Sequence, residues 1–221
     1  DGYVRGHVTD TMRQALHIIA SSQSKRAANR VETLLDQGRV EDALKAAGFD
    51  QDTVETCRPL FYDTASVTGL RAGDPKSINV IPANAKAYVD GRILPGQTRK
   101  GFLELLRRCA GDEVEIDVFD EQFSPGLESS SDSALFRAIS KVIAGYCDGA
   151  QVIPWQCAGS TDAKNLVDVG VPVYGFVPGK PVPKDVETAG AHAVDERIWL
   201  EGLSFTLEIL YEVVHRFCKE E

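Results

Sequence analysis

Apolar positions recur at helical spacing through the first quarter of the chain. Met12, Ala15, Leu16 and Ile19 lie on one face between Thr11 and Ala20. Val31, Leu34 and Leu35 follow, then Val40, Ala43, Leu44 and Ala47. Gly48 stands where a left-handed residue closes a helix. The spacing predicts short helices across residues 9–60. Their wide polar faces suit a surface or a small insertion.

From Thr64 the period changes. Ala83, Ala85, Ala87, Val89 and Ile93 alternate with Asn84, Lys86, Tyr88, Asp90 and Arg92, the pattern of a half-buried strand. Pro95-Gly96 ends it, and Thr98 can cap a helix to about Ala110 through Phe102, Leu105, Leu106 and Cys109. Gly111-Asp112 turns into a second alternating strand, Val114, Ile116 and Val118 against Glu113, Glu115 and Asp117. Strand, helix and strand so closely joined predict a βαβ unit over residues 64–120, part of an α+β sandwich.

Ser124-Pro125-Gly126 and the polar run from Glu128 to Asp132 mark a boundary, giving domains 1–122 and 123–221. Beyond it, Ser133 to Tyr146 reads as a helix with Leu135, Ile139 and Val142 on one face. Gln151 to Pro154 reads as a short strand. Thr161 or Asp162 caps a helix that Gly170 ends, and the apolar run Val171 to Val177 suits a strand covered on both faces. Leu200, Leu203, Leu207, Leu210, Val214 and Phe217 predict a final helix over residues 197–218.

Composition narrows the partners. The 221 residues carry 24 Lys and Arg against 33 Asp and Glu, a formal charge of -9. That balance argues against nucleic acid and anionic membranes, which reward a basic face. No run of 18 apolar residues exists, so no transmembrane helix is expected. The first residues make no signal peptide. Cys57, Cys109, Cys147, Cys157 and Cys218 are widely spaced, without a C-x-x-C pair, as expected for reduced thiols in a cytoplasmic protein. The chain lacks an initiator Met and reads as a piece of something longer.

Three polar clusters are candidates for chemistry. His192 follows a proline-rich loop and precedes Asp195-Glu196; it reads either as a solvated histidine or as a metal or acid–base group. Alone it makes no zinc site, which needs three or four ligands. Ala158-Gly159-Ser160-Thr161-Asp162-Ala163 can present backbone N–H groups to an anion, or serve as an ordinary helix cap. Asn79 and Arg92 can hold a carboxylate, unless Asp90 and Arg92 are simply paired strand charges. No G-x-S-x-G elbow, P-loop or G-x-G-x-x-G occurs.

In this order the clusters resemble the M20 family of metallopeptidases and amidohydrolases, which includes acetylornithine deacetylase, succinyl-diaminopimelate desuccinylase, aminoacylase and carboxypeptidase G-type enzymes. The strings are Asn79-Val80-Ile81-Pro82 with Asp90-Gly91-Arg92 and Leu94-Pro95-Gly96, then Gly159-Ser160-Thr161-Asp162-Ala163 with Gly170 to Phe176, then His192 to Arg197. The likeness covers residues 64–218.

The resemblance implies an α/β chain: an α+β sandwich lid (dimerisation) domain with a helical enlargement, then the C-terminal part of an α/β zinc-hydrolase catalytic domain. It implies a homodimer through the lid and a cofactor of two zinc ions in the full-length enzyme. His192 matches a zinc ligand, Asn79 and Arg92 match lid positions that hold the substrate carboxylate, and Gly159 and Thr161 match the loop lining the substrate site. The implied reaction is hydrolysis of an amide bond in an N-acyl amino acid or small peptide, by a metal-bound hydroxide with a Glu as base.

The family's H-x-D string, bridging Asp and Glu-Glu pair lie upstream of its lid, and no residue here matches them. The lid histidine is also missing, and the context of His7 does not fit it. The chain by itself is therefore expected to be inactive, with no catalytic residue and at most one zinc ligand. The alternative is a non-catalytic dimerisation or small-molecule binding module.

Overall fold

The computed structural model describes residues 2–119, 123–184, 186–187, 190 and 194–219. By their contacts the residues form two units, Asp1–Glu128 with Pro154–Val171, and Ser129–Ile153 with Pro172–Glu221.

In the first unit, Thr9 is extended and its hydroxyl accepts the Met12 N–H at 3.3 Å, which starts α1 (Asp10–Gln23). Ser24 ends α1 in an extended conformation and caps α2 (Lys25–Asp36) by accepting the Ala27 N–H. α2 closes through Gly38 at φ +69°, with Gly38 N–H to the Leu35 carbonyl and Arg39 N–H to the Leu34 carbonyl. α3 (Val40–Ala46) closes the same way: Gly48 has φ +94°, its N–H meets the Lys45 carbonyl, and Phe49 N–H meets the Leu44 carbonyl. α4 (Gln51–Cys57) is capped by Asp50, and a 3-10 turn (Arg58–Phe61) leads out of it.

These four helices enclose a substantial core. Met12, Leu16, Val31, Leu44, Val54 and Phe61 are almost fully buried together. The region predicted as a surface or small insertion is thus a packed helical bundle. Each such side chain contributes on the order of 1.5–3 kcal/mol when fully buried, which offsets the wide polar faces.

A three-stranded antiparallel sheet follows the order β1 (Gly2–Gly6), β2 (Tyr62–Ala72), β3 (Ala85–Arg92). β2 and β3 form a hairpin running from Thr64 opposite Arg92 to Ala72 opposite Ala85, with an irregularity between Val67 and Gly69. The predicted strand forms as β3, but all eight of its residues are exposed, so the half-buried alternation is not seen. α5 (Arg99–Ala110) starts at Thr98, as predicted, and meets the sheet where Phe102 lies over Gly91. The strand predicted over residues 114–118 is not formed. β3 instead takes its partner from β2, an antiparallel neighbour that lay outside the predicted βαβ pattern.

In the second unit, α6 (Ala134–Tyr146) is capped by Ser133 and packs Ile139 and Val142 against Ile209 and Val213 of α7 (Leu200–Phe217). Val152, Tyr174 and Phe176 add to this core from irregular segments. The predicted strands at 151–154 and 171–177 are absent, because no ladder partner stands beside them among the described residues. α7 has two apolar faces. α6 covers the one bearing Ile209 and Val213, so the predicted stripe, Leu200, Leu203, Leu207, Val214 and Phe217 included, is mostly exposed. Among the described residues no helix is long and apolar enough to cross a membrane.

Candidate functional site

Arg92 ends β3, and its side chain joins two of the clusters singled out in the sequence. Its Nε donates to Asp90 Oδ2 at 3.0 Å, and a terminal nitrogen donates to the Ala158 carbonyl at 2.8 Å. The first contact is the strand charge pair. The second carries the arginine to the loop Ala158–Thr161. The side chain remains 55% exposed, so a guanidinium with five donors keeps capacity for an anion.

Of the two readings of this loop, the structure shows the helix cap. Gly159 N–H meets Cys157 Sγ at 3.3 Å, and Thr161 Oγ1 accepts the Ala163 N–H at 3.4 Å at the entry to the 3-10 helix Asp162–Val169. Thr161 is therefore a capping residue, on a helix tighter than the predicted α-helix. Gly159, Ser160 and Thr161 are exposed beside it.

Asn79 is elsewhere. It sits in the turn between β2 and β3, closed by Ser77 N–H to Asp74 and Val80 N–H to Ser77. Arg92 is at the opposite end of the hairpin, and the seven steps of β3 between Ala85 and Arg92 span roughly 24 Å. Within one chain the two residues do not share a carboxylate. His192 lies outside the described residues. Among the described residues no group of three or more His, Cys, Asp or Glu side chains is placed to hold a metal ion. The described part by itself therefore does not fit a zinc centre. His17 pairs with Glu32, and His215 stacks on Tyr211.

Residues not singled out in the sequence support the site. Asp63 is fully buried in β2, and its Oδ1 accepts the Leu94 N–H at 2.9 Å, fixing the chain just after Arg92. Gly126 passes so close to the Leu94–Pro95 peptide that a Cβ there would stand 2.5 Å from Pro95 N. Gln156 accepts from the Thr9 hydroxyl at 2.9 Å, and the Trp155 ring meets Phe49 edge-on. No local signal marks these pairs, since Thr9 and Gln156 are 147 positions apart. A surface concavity of about 610 Å³ beside Arg30, Leu34, Arg39 and Lys45 includes none of the candidate residues.

The structure is that of a mixed α/β protein with a small antiparallel sheet and many helices, in which Arg92 meets the loop of small residues at the Ala158 carbonyl. Residues 3–118, more than half of the chain, match the M20 peptidase dimerisation domain. The chain belongs to the M20 family, whose members are hydrolases and generally metal-dependent. It is 29% identical over 153 residues to the N-fatty-acyl-amino acid synthase/hydrolase PM20D1 of Xenopus tropicalis, covering 68% of this chain and 29% of that protein. It is 27% identical over 165 residues to aminoacylase-1 of Sus scrofa, covering 69% of this chain and 37% of that protein. The chain thus spans about a third of the length of these curated relatives. Among solved structures, the M20 family metallo-carboxypeptidase Sso-CP2 of Sulfolobus solfataricus shares the fold, with a TM-score of 0.57 at 21% identity over 97% of this chain and 46% of that one.

Proposed function

We propose that this chain supplies the lid and the C-terminal catalytic segment of a zinc-dependent M20 hydrolase that cleaves an amide bond in an N-acyl amino acid or small peptide. In this reading residues 1–122 are the lid, residues 123–221 belong to the catalytic domain, and the protein is a homodimer through the lid. Arg92, Gly159 and Thr161 contact the substrate, Asn79 is a further substrate-binding residue of the lid, and His192 is one zinc ligand. A cytoplasmic setting belongs to the same proposal, from the wide spacing of the five cysteines without a C-x-x-C pair.

The observation that carries the reading is the contact of Arg92 with the Ala158 carbonyl, which puts a half-exposed guanidinium beside the small-residue loop. A substrate carboxylate bound there would take charge-assisted hydrogen bonds in both ground and transition states. The test is Arg92→Ala in the full-length enzyme, assayed on N-acyl amino acids. The expected result is a KM raised about tenfold or more with kcat little changed, the loss of one charged hydrogen bond. An unchanged KM with a fall in kcat alone would remove Arg92 from carboxylate binding.

A further inference from the structure

We propose that Gln156, with Trp155 beside it, is a positioning residue: the pair latches the Ala158–Thr161 loop to the helical bundle α1–α4, so that the bundle sets the loop facing Arg92. This rests on the reading of that loop as a substrate contact.

The attachment is dense for so short a segment. The Thr9 hydroxyl is 2% exposed at residue level and has two roles, accepting the Met12 N–H at the start of α1 and donating to Gln156 Oε1 at 2.9 Å. The same side-chain amide donates from Nε2 to the Leu60 carbonyl at 3.5 Å, so it reaches both the start of α1 and the 3-10 turn that follows α4. Trp155 lies edge-on to Phe49 at 6.3 Å between ring centroids. Phe49 is the residue that closes α3 and packs on the bundle core. Two residues further on, the Ala158 carbonyl receives Arg92. The loop is thus held from the bundle on one side and from β3 on the other. A loop ordered during folding does not have to be ordered again when substrate binds. The helical bundle therefore has a use beyond its own stability.

Two measurements test the latch. In the 221-residue chain, Gln156→Ala should speed limited tryptic cleavage after Lys164, at the loop's exit, about three- to tenfold, as expected for losing one or two ordinary hydrogen bonds. Cleavage at Lys25 and Arg30 in the bundle should stay unchanged. Gln156→Glu keeps the acceptor for Thr9 but loses the donor to the Leu60 carbonyl, so it should recover part of the protection. An unchanged rate after Lys164, or equal acceleration at all three sites, overturns the latch. In the full-length enzyme, assayed well below its thermal midpoint, Gln156→Ala should lower kcat/KM about fivefold or more, with Gln156→Glu restoring part of it. If Arg92→Ala shifts KM while Gln156→Ala leaves the kinetics untouched, the positioning role fails and the site reading stands. If neither variant affects catalysis, the site reading itself fails.

Discussion

Gly91 shows how one residue settles the contact between β3 and α5. A Cβ built there would stand 2.5 Å from the Phe102 ring, closer than carbon atoms approach. The glycine is therefore required by packing and not by its backbone angle. Gly91→Ala should cost about 1–3 kcal/mol through overpacking, read as a lower denaturation midpoint with an unchanged slope. A midpoint equal to wild type would mean that α5 sits away from the sheet. Because Arg92 is the next residue, the same variant should weaken the proposed carboxylate site as well. In the sequence Gly91 was visible only as part of the Asp90-Gly91-Arg92 string; its contact with Phe102 came from the fold.

The helices of the bundle are defined by their ends, and one end is sensitive to pH. The Asp50 carboxylate accepts hydrogen bonds from the Thr53 side chain and from the Thr53 N–H, which holds its pKa below the ordinary carboxylate value. A group depressed in this way stabilises the folded state above its ordinary pKa, and that contribution is lost as the pH falls through the lowered value. Amide exchange at Thr53 should therefore accelerate below about pH 4 relative to the helix interiors. Asp50→Asn, which still caps a helix but does not titrate, should abolish that acceleration. A wild-type profile identical to the Asn variant would refute the role. The cap at Thr98 and the closing glycine of α3 were legible in the sequence, because a cap is decided within four or five residues, whereas Ser133 emerged as a cap in the structure. The strands predicted at 114–118 and 171–177 did not form, because a strand needs a hydrogen-bonded neighbour that no local pattern supplies.

At the scale of the molecule, β3 is the outer strand of the sheet and carries Val89 and Tyr88 exposed. An uncovered edge of this kind is a template for a second strand. It agrees with the proposed homodimer, and light scattering of the 221-residue chain should give twice its 24.1 kDa. Val89→Lys on that strand should shift the mass toward the monomer, while the same change at exposed Leu207 of α7 should not. A monomeric wild type, or a dimer lost only with the α7 variant, would move the interface away from the sheet. Burial inside the bundle pushes the pKa of the Cys57 thiol up.

The amino-acid sequence by itself determined the bundle helices and α5, α6 and α7, the cap at Thr98 and the closing Gly48, the acidic balance and the ordered strings that place the chain in the M20 family. These depend on residue type and spacing over a few positions, where periodicity and capping act. Only the tertiary structure decided that the early helices form a core, that β2 pairs with β3, that Arg92 reaches Ala158 while Asn79 stands at the far end of the hairpin, and that Thr9 holds Gln156. Each of those joins residues dozens of positions apart or more, or depends on which elements become neighbours. Such contacts follow from how buried faces match, and a linear pattern does not record which surface will be covered by which.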